Sequence, residues 1–132
     1  MAAKNANEDT IDTLSNLVIG CALAFSYALG SGFFEKVYEN ALAYALPKRD
    51  LAVAQQGGGV RYHGVIVGEY ITDLLIEDAV LVEIKAVKAL AHVHRVQCLN
   101  HLKAIGLRLC LLLNFGQPRL AITRAVQIPR GP

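Results

Sequence analysis

The chain has no tryptophan, and its five tyrosines and four phenylalanines form no aromatic-rich stretch on which unpaired bases would stack. A dedicated single-strand-binding module is disfavoured on that ground. Its three cysteines, Cys21, Cys98 and Cys110, are an odd count at wide spacing with no CxxC pair. Neither a zinc site nor a disulfide framework is expected from them, and all three read as core residues in apolar surroundings. No uninterrupted apolar run reaches the roughly 18–20 residues that span a bilayer. The nearest, LVIGCALAF at 17–25, follows Glu8, Asp9 and Asp12 rather than the positive region of a signal peptide. A cytoplasmic protein without a membrane partner is the resulting expectation. Neither sign of charge dominates: 13 Lys and Arg against 11 Asp and Glu give a formal +2. That balance neither demands nor forbids nucleic acid, because local patches matter more than the total.

What the sequence does have is apolar content. Of its 132 residues 54% are hydrophobic, with a mean hydropathy of +0.37, enough to bury the core of a single domain. The domain is expected over 9–128, with a disordered N-terminus at 1–8 and a short tail at 129–132. Ile11, Leu14, Val18, Cys21, Phe25 and Leu29 recur at helical spacing and predict a helix over about 9–29, stopped by Gly30-Ser31-Gly32. A second helix is expected from about 33 to 48, with Pro47 near its end.

After Asp50 the pattern shortens to strands: 51–56, a glycine triplet at 57–59 read as a flexible connection, then 60–62 and 65–67 around a His63-Gly64 turn. Residues 70–76 and 80–87 form another expected hairpin around Glu77-Asp78. A helix over 92–105 capped by Gly106, a near-continuous apolar strand at 107–115 and a last strand at 120–128 complete the order. The fold class is α/β (α+β), one mixed central sheet with helices packed on it, without repeat or linker.

The segment LLIEDAVLVEIKAV, 74–87, places charge where burial is expected. A turn centred on Asp78 pairs Asp73 with Glu83. Alternation then puts Asp73, Glu83 and Lys85 on one face, with Leu74, Ile76, Val80, Val82 and Ile84 on the other. Two carboxylates directly opposed, at a Cβ separation of roughly 4.5–5.5 Å, destabilise a sheet unless something compensates. A divalent cation held by both is one answer. A solvated face carrying a Glu83–Lys85 pair is the other, and one residue of register slip removes the geometry altogether.

Asp73 followed after about ten residues by Glu83-Ile84-Lys85 resembles the PD-(D/E)xK nuclease superfamily. Gly32-Phe33-Phe34-Glu35-Lys36-Val37-Tyr38 is similar to the motif of the GxxExxY family within it, and VYENALAY, GEYITDLLIED, VEIKAV and LNHLKAIGLRLCLLLNFG extend the likeness over roughly 10–127. The resemblance implies a restriction-endonuclease-like core: a mixed four-stranded sheet with flanking helices in the order αβββαβ. It also implies a Mg²⁺ or Mn²⁺ ion held by Asp73, Glu83 and the backbone carbonyl of Ile84. In that scheme Lys85 orients the attacking water and stabilises charge building on the phosphate, while the metal lowers the water's pKa and polarises the phosphoryl oxygen. Glu35 resembles the extra acidic ligand of some branches, and Gln97 the glutamine of the QxxxY motif in RecB-like nucleases. That motif usually ends in tyrosine, where this chain has His101. Ser26 stands where the family's first helix commonly has histidine.

His94, Gln97 and His101 fall within an arc of roughly 60° of one helix face and can point together toward the carboxylates. Tyr38, His94, His101, Lys88 and Arg95 are candidate substrate contacts. The bland alternatives are a packed Tyr38 with a bonded hydroxyl, a capping or surface His94, and scattered surface cations. The expected function is a metal-dependent nuclease acting on nucleic acid, DNA ahead of RNA, with a homodimer or accessory protein as a source of specificity. The alternatives are a catalytically weak or inactive nucleic-acid- or protein-binding module on the same fold, or an interaction protein that docks through the charged hairpin face.

Overall fold

The computed structural model describes residues 7–55, 61–66 and 73–128. The glycine triplet 57–59, the N-terminal residues 1–6, the tail 129–132 and the expected strand residues Gln56, Val60, Val67, Tyr70, Ile71 and Thr72 lie outside them.

The first helix, α1 (Glu8–Leu29), begins at Asn7, whose side chain accepts from Thr10 N at 2.8 Å, and ends at Gly30, with φ 75°. Its buried stripe is Ile11, Leu14, Ser15, Val18, Cys21 and Ala22. Phe25 packs against the core only in part, and Leu29 is exposed, so the stripe ends a turn earlier than the spacing predicts. By length and composition alone, α1 (22 residues, mean hydropathy 1.4) meets the requirement for crossing a membrane, although no uninterrupted apolar run does. Its stripe is instead packed on the sheet, the position of a core helix.

The second helix, α2 (Glu35–Ala45), passes into a 3₁₀ turn (Leu46–Arg49) at Pro47, where the expected single helix is interrupted. Pro47 lacks the N–H that an α-helix would use there, and Asp50 closes the turn in the left-handed region at φ 63°.

The sheet has five strands: β1 (Val53–Gln55), β4 (Asp73–Ile76), β5 (Val80–Lys85), β6 (Leu109–Asn114) and β7 (Ala121–Val126), in that spatial order. Among the described residues only the β5–β6 pair is parallel, and its crossover is the third helix, α3 (His92–Ile105). β2 (Arg61–Tyr62) and β3 (Val65–Ile66) form a separate hairpin around His63 and Gly64, both at positive φ. The sheet thus exceeds the four strands that the resemblance implies. The extra edge strand, β1, is tied to the β4–β5 turn: Glu77 N donates to Ala52 O at 2.8 Å, and Ala52 N donates to Glu77 Oε2 at 2.7 Å.

Strand alternation sorts β5 into two cores. Val80, Val82 and Ile84 join α1 and α2 on one face, and Leu81 joins Cys98, Leu102, Cys110 and Leu112 under α3 on the other. Cys98 and Cys110 are core residues, but they are bonded to each other across the α3–β6 interface with Cα atoms 6.5 Å apart. This corrects the expectation of three unpaired cysteines. The spacing gives no hint of it because the partners lie on different elements that meet only when α3 docks. Cys21 remains free and buried.

Candidate metal centre

The β4–β5 turn sets the site. Glu77 (φ 54°) and Asp78 (φ 50°) both occupy the left-handed region, and Ala79 N donates to Ile76 O at 2.9 Å, in a three-residue turn, Glu77 to Ala79, between the paired Ile76 and Val80 that fixes register. Asp73 consequently lies opposite Glu83, as the turn predicts. Both carboxylates are buried, Asp73 at 1% exposure and Glu83 at 6%.

From α3, His101 reaches the pair. Its Nδ1 lies 3.0 Å from Glu83 Oε2 and 3.2 Å from Asp73 Oδ2. One ring N–H serves only one acceptor; it is aligned with Glu83, and neither oxygen of Asp73 has a hydrogen-bond partner among the described residues. Burial drives the Asp73 carboxyl up from its usual 3.8 to about 6. His101 and Lys85 oppose that rise, and the neighbouring charges of Glu83 and Glu39 add to it.

A pair of opposed, buried carboxylates, one of them without a hydrogen-bond donor among the described residues, is electrostatically incomplete. A hard divalent cation takes oxygen ligands of this kind, and ligand atoms of Asp73, Glu83 and His101 all lie within 4.8 Å of one another. The residues present therefore fit the ion that the resemblance implies.

Lys85, half-buried, follows Glu83 on the same face and makes no ion pair with a described residue. It is close enough for its charge to lower the Asp73 carboxyl. Ile84, between them, points its side chain into the opposite core and is fully buried.

The end of β5 is locked. Phe115 N donates to Lys85 O at 2.8 Å. Buried Asn114 accepts from Val87 N at 3.0 Å and from Gly116 N at 3.0 Å, and donates to Val87 O at 2.9 Å. A Cβ on Gly116 would sit 2.1 Å from Val87 O, so only glycine permits this crossing.

Glu35 approaches from α2, where Ala86 N donates to its Oε2 at 3.1 Å. Its carboxylate is thus directed to the strand end, and it is not a member of the Asp73–Glu83–His101 group. It lines an open cleft of about 500 Å³ with Phe34, Lys36, Ala86 and Lys88. Tyr38 is fully buried, stacked on Phe115 at 4.2 Å, and donates its hydroxyl to Gly30 O at 2.6 Å, which ties the α1–α2 loop to the core. His94 caps its own helix, accepting at Nδ1 from Ala91 N at 2.8 Å. Gln97 is exposed and forms no hydrogen bond with a described residue, so of the predicted histidine–glutamine face only His101 meets the carboxylates. Lys88 is exposed at the cleft, and Arg95, also exposed, donates to the Arg124 carbonyl at 3.4 Å.

Two features escape a reading of the sequence. Glu39 is fully buried on α2; Lys36 Nζ and Gln55 Nε2 donate to its Oε2 at 3.1 and 2.5 Å, its Oε1 has no partner among the described residues, and its charge reaches Asp73. The available signal was the stripe Glu35, Glu39, Leu42, Leu46, which carries Glu39 onto the core-facing side of the helix. The second is the Cys98–Cys110 pair, whose sulfur atoms lie with a Glu83 carboxylate oxygen in a group within 4.8 Å.

The hairpin pairing, the parallel β5–β6 crossover and the acidic pair at the end of β5 have a counterpart among known families. The family model described as the PD-(D/E)XK nuclease superfamily matches residues 12–125. No curated protein and no solved structure is matched by the chain. The match takes in most of α1, the whole of α2 and α3, the sheet as far as Ala125 and every member of the acidic site, and the chain belongs to the PD-(D/E)XK nuclease superfamily.

Proposed function

We propose that this protein hydrolyses phosphodiester bonds in nucleic acid, with Asp73 and Glu83 as ligands of a divalent cation, Mg²⁺ or Mn²⁺, aided by the Ile84 carbonyl. The observation that carries the reading is the buried Asp73 carboxylate, facing Glu83 with neither oxygen hydrogen-bonded to a described residue. When bound, a divalent cation supplies Lewis-acid polarisation of a phosphoryl oxygen and lowers the pKa of water.

The chain's own groups do the rest. The ammonium of Lys85 orients the attacking water and stabilises negative charge at a non-bridging phosphate oxygen. The Asn114 clamp and the Phe115–Lys85 backbone bond hold that lysine in register, so little reorganisation is left for the reaction. Glu35, anchored on Ala86 N–H, orients water or metal from the cleft side. Gln97, exposed one helical turn from His101, and the exposed Lys88 and Arg95 contact substrate phosphates. The Gly32–Glu35–Tyr38 spacing supports assignment to the GxxExxY branch, and DNA is the substrate preferred over RNA.

The test is cleavage of single-stranded, duplex and branched DNA and RNA with Mg²⁺, Mn²⁺ or EDTA. Metal-dependent cleavage should fall by at least about a hundredfold in Glu83→Gln and Lys85→Ala. Cleavage that survives both substitutions would sink the assignment of the site. No cleavage of any substrate by a folded, metal-binding protein would sink the hydrolase reading.

A further inference from the structure

We propose that His101 Nδ1 is the third protein ligand of the cation held by Asp73 and Glu83, and that it tunes the site toward a first-row transition ion such as Mn²⁺ or Co²⁺ over Mg²⁺. The inference rests on the metal-dependent reading above and goes beyond it. His101 stands where the resemblance expects a tyrosine, which belongs to a different class of ligand.

Ligands at about 2.1 Å from an octahedral ion are about 3.0 Å apart along each edge of the coordination shell. The Nδ1 distances to Glu83 Oε2 and Asp73 Oδ2, 3.0 and 3.2 Å, would let one such cation be held by all three groups. His101 also sits on α3, whose docking is fixed from beneath by the Cys98–Cys110 bond three residues away and by buried Leu102 beside it. Its ring is held against the carboxylates rather than swung in from a loop, and its side chain is 24% exposed, which leaves one side of the site open to water or substrate. A ring nitrogen that merely donated to Glu83 would leave Asp73 unserved, since neither Oδ1 nor Oδ2 has a hydrogen-bond partner among the described residues and Oδ2 has only the His101 ring nitrogen near it, at 3.2 Å. A shared cation satisfies all three groups at once.

The metal preference follows from ligand chemistry. Carboxylate oxygens suit Mg²⁺, Ca²⁺ and Mn²⁺, whereas imidazole nitrogen strengthens binding along the first-row transition series and adds little for Mg²⁺. An Asp–Glu–His set therefore discriminates against Mg²⁺ more than an acidic pair with a neighbouring tyrosine does.

Pulsed electron paramagnetic resonance of the full chain loaded with Mn²⁺ tests this directly, beside Mn²⁺ and Mg²⁺ binding isotherms. The expected result is a ¹⁴N coupling from a directly bound imidazole, replaced by a ¹⁵N coupling after histidine labelling and absent in His101→Gln. Asp73→Asn should abolish Mn²⁺ binding, which ties the signal to this site rather than to another histidine. In His101→Tyr and His101→Gln the ratio of Mn²⁺ to Mg²⁺ affinity should fall about tenfold or more, while the EDTA-treated variants melt cooperatively. Mn²⁺ bound in an Asp73-dependent manner without ¹⁴N coupling would overturn the role of His101 and leave the acidic metal site standing. Wild-type affinity ratios in both variants would overturn that role equally. No Asp73-dependent metal binding at all would overturn the metal site, and the His101 ligand with it.

Discussion

Asp73 is a residue whose structural and functional interests conflict. Its carboxyl is raised to about 6, first by burial and then by the Glu83 and Glu39 charges, against His101 and Lys85. A folded-state value above the unfolded one means that the native protein holds this proton more tightly. Stability is therefore full below the unfolded value of 3.8 and is lost as pH rises through about 6. In the metal-free protein this ionisation should cost on the order of 2–3 kcal/mol between about pH 4 and pH 7. Asp73→Asn, neutral at every pH, should remove that slope and stabilise the EDTA-treated protein at pH 7.5 by a similar amount, while eliminating any metal-induced shift. Urea melts of both proteins across this range check it, and a mutant less stable than the parent at pH 7.5 would contradict the charge argument. The pairing of Asp73 with Glu83 is legible in the sequence because a Glu77-Asp78 turn and period-two alternation dictate it. That Glu39 adds to the field is not, since its place on the core-facing stripe of α2 gives no sign that its charge reaches Asp73 on another element.

At the scale of elements, helices are read more fully than strands. The bounds of α3, with its Gly106 cap at φ 74°, agree with the helical spacing and the glycine signal. β1 and β4 are shorter among the described residues than the apolar runs imply, and the attachment of β1 through Glu77 is long-range information that no local pattern carries. The same limit hides the Asn114 clamp: an asparagine closing an apolar strand reads as a turn residue, yet it binds Val87 and Gly116 from a fully buried position. Asn114→Ala leaves those backbone groups unpaired and should lower stability by about 2–4 kcal/mol. Gly116→Ala should be at least as damaging, because its Cβ meets backbone that cannot yield. Chemical denaturation with far-ultraviolet circular dichroism measures both, and a neutral Gly116→Ala would refute the close crossing.

The Cys98–Cys110 bond closes a loop of sequence separation 12. In the chain-entropy account its reduction should destabilise the protein by about 3 kcal/mol. The oxidised chain, denatured without reductant, should titrate one thiol, that of Cys21. Three thiols at that point would remove the cross-link. The cytoplasmic expectation makes the measurement pointed, since thiols in that compartment are generally kept reduced.

For the molecule as a whole, the fold places the acidic pair and His101 on the α3 face of the sheet, while α1 and α2 build the larger core behind it. The class of fold is legible because it depends on the order of elements. Of the candidate site, the acidic pair is legible from the hairpin and His101 from the α3 face directed at it, but that His101 alone of that face meets the carboxylates depends on where the helix docks. Metal and fold should then be thermodynamically linked, since a cation that binds the native carboxylates and not the unfolded chain stabilises by mass action. At a concentration one hundred times its dissociation constant, Mn²⁺ should add about 2.7 kcal/mol, which for a chain of this size raises the melting temperature by roughly 10 °C. The pH dependence of that shift carries the sharper prediction. Below pH 6 the Asp73 proton competes with the cation, so affinity should weaken roughly in proportion to proton concentration. At fixed Mn²⁺, scanning calorimetry should therefore find a large shift at pH 7.5 and a much smaller one at pH 5, with a midpoint near the raised Asp73 value. A shift of equal size at both pH values would mean that the cation binds elsewhere on the protein.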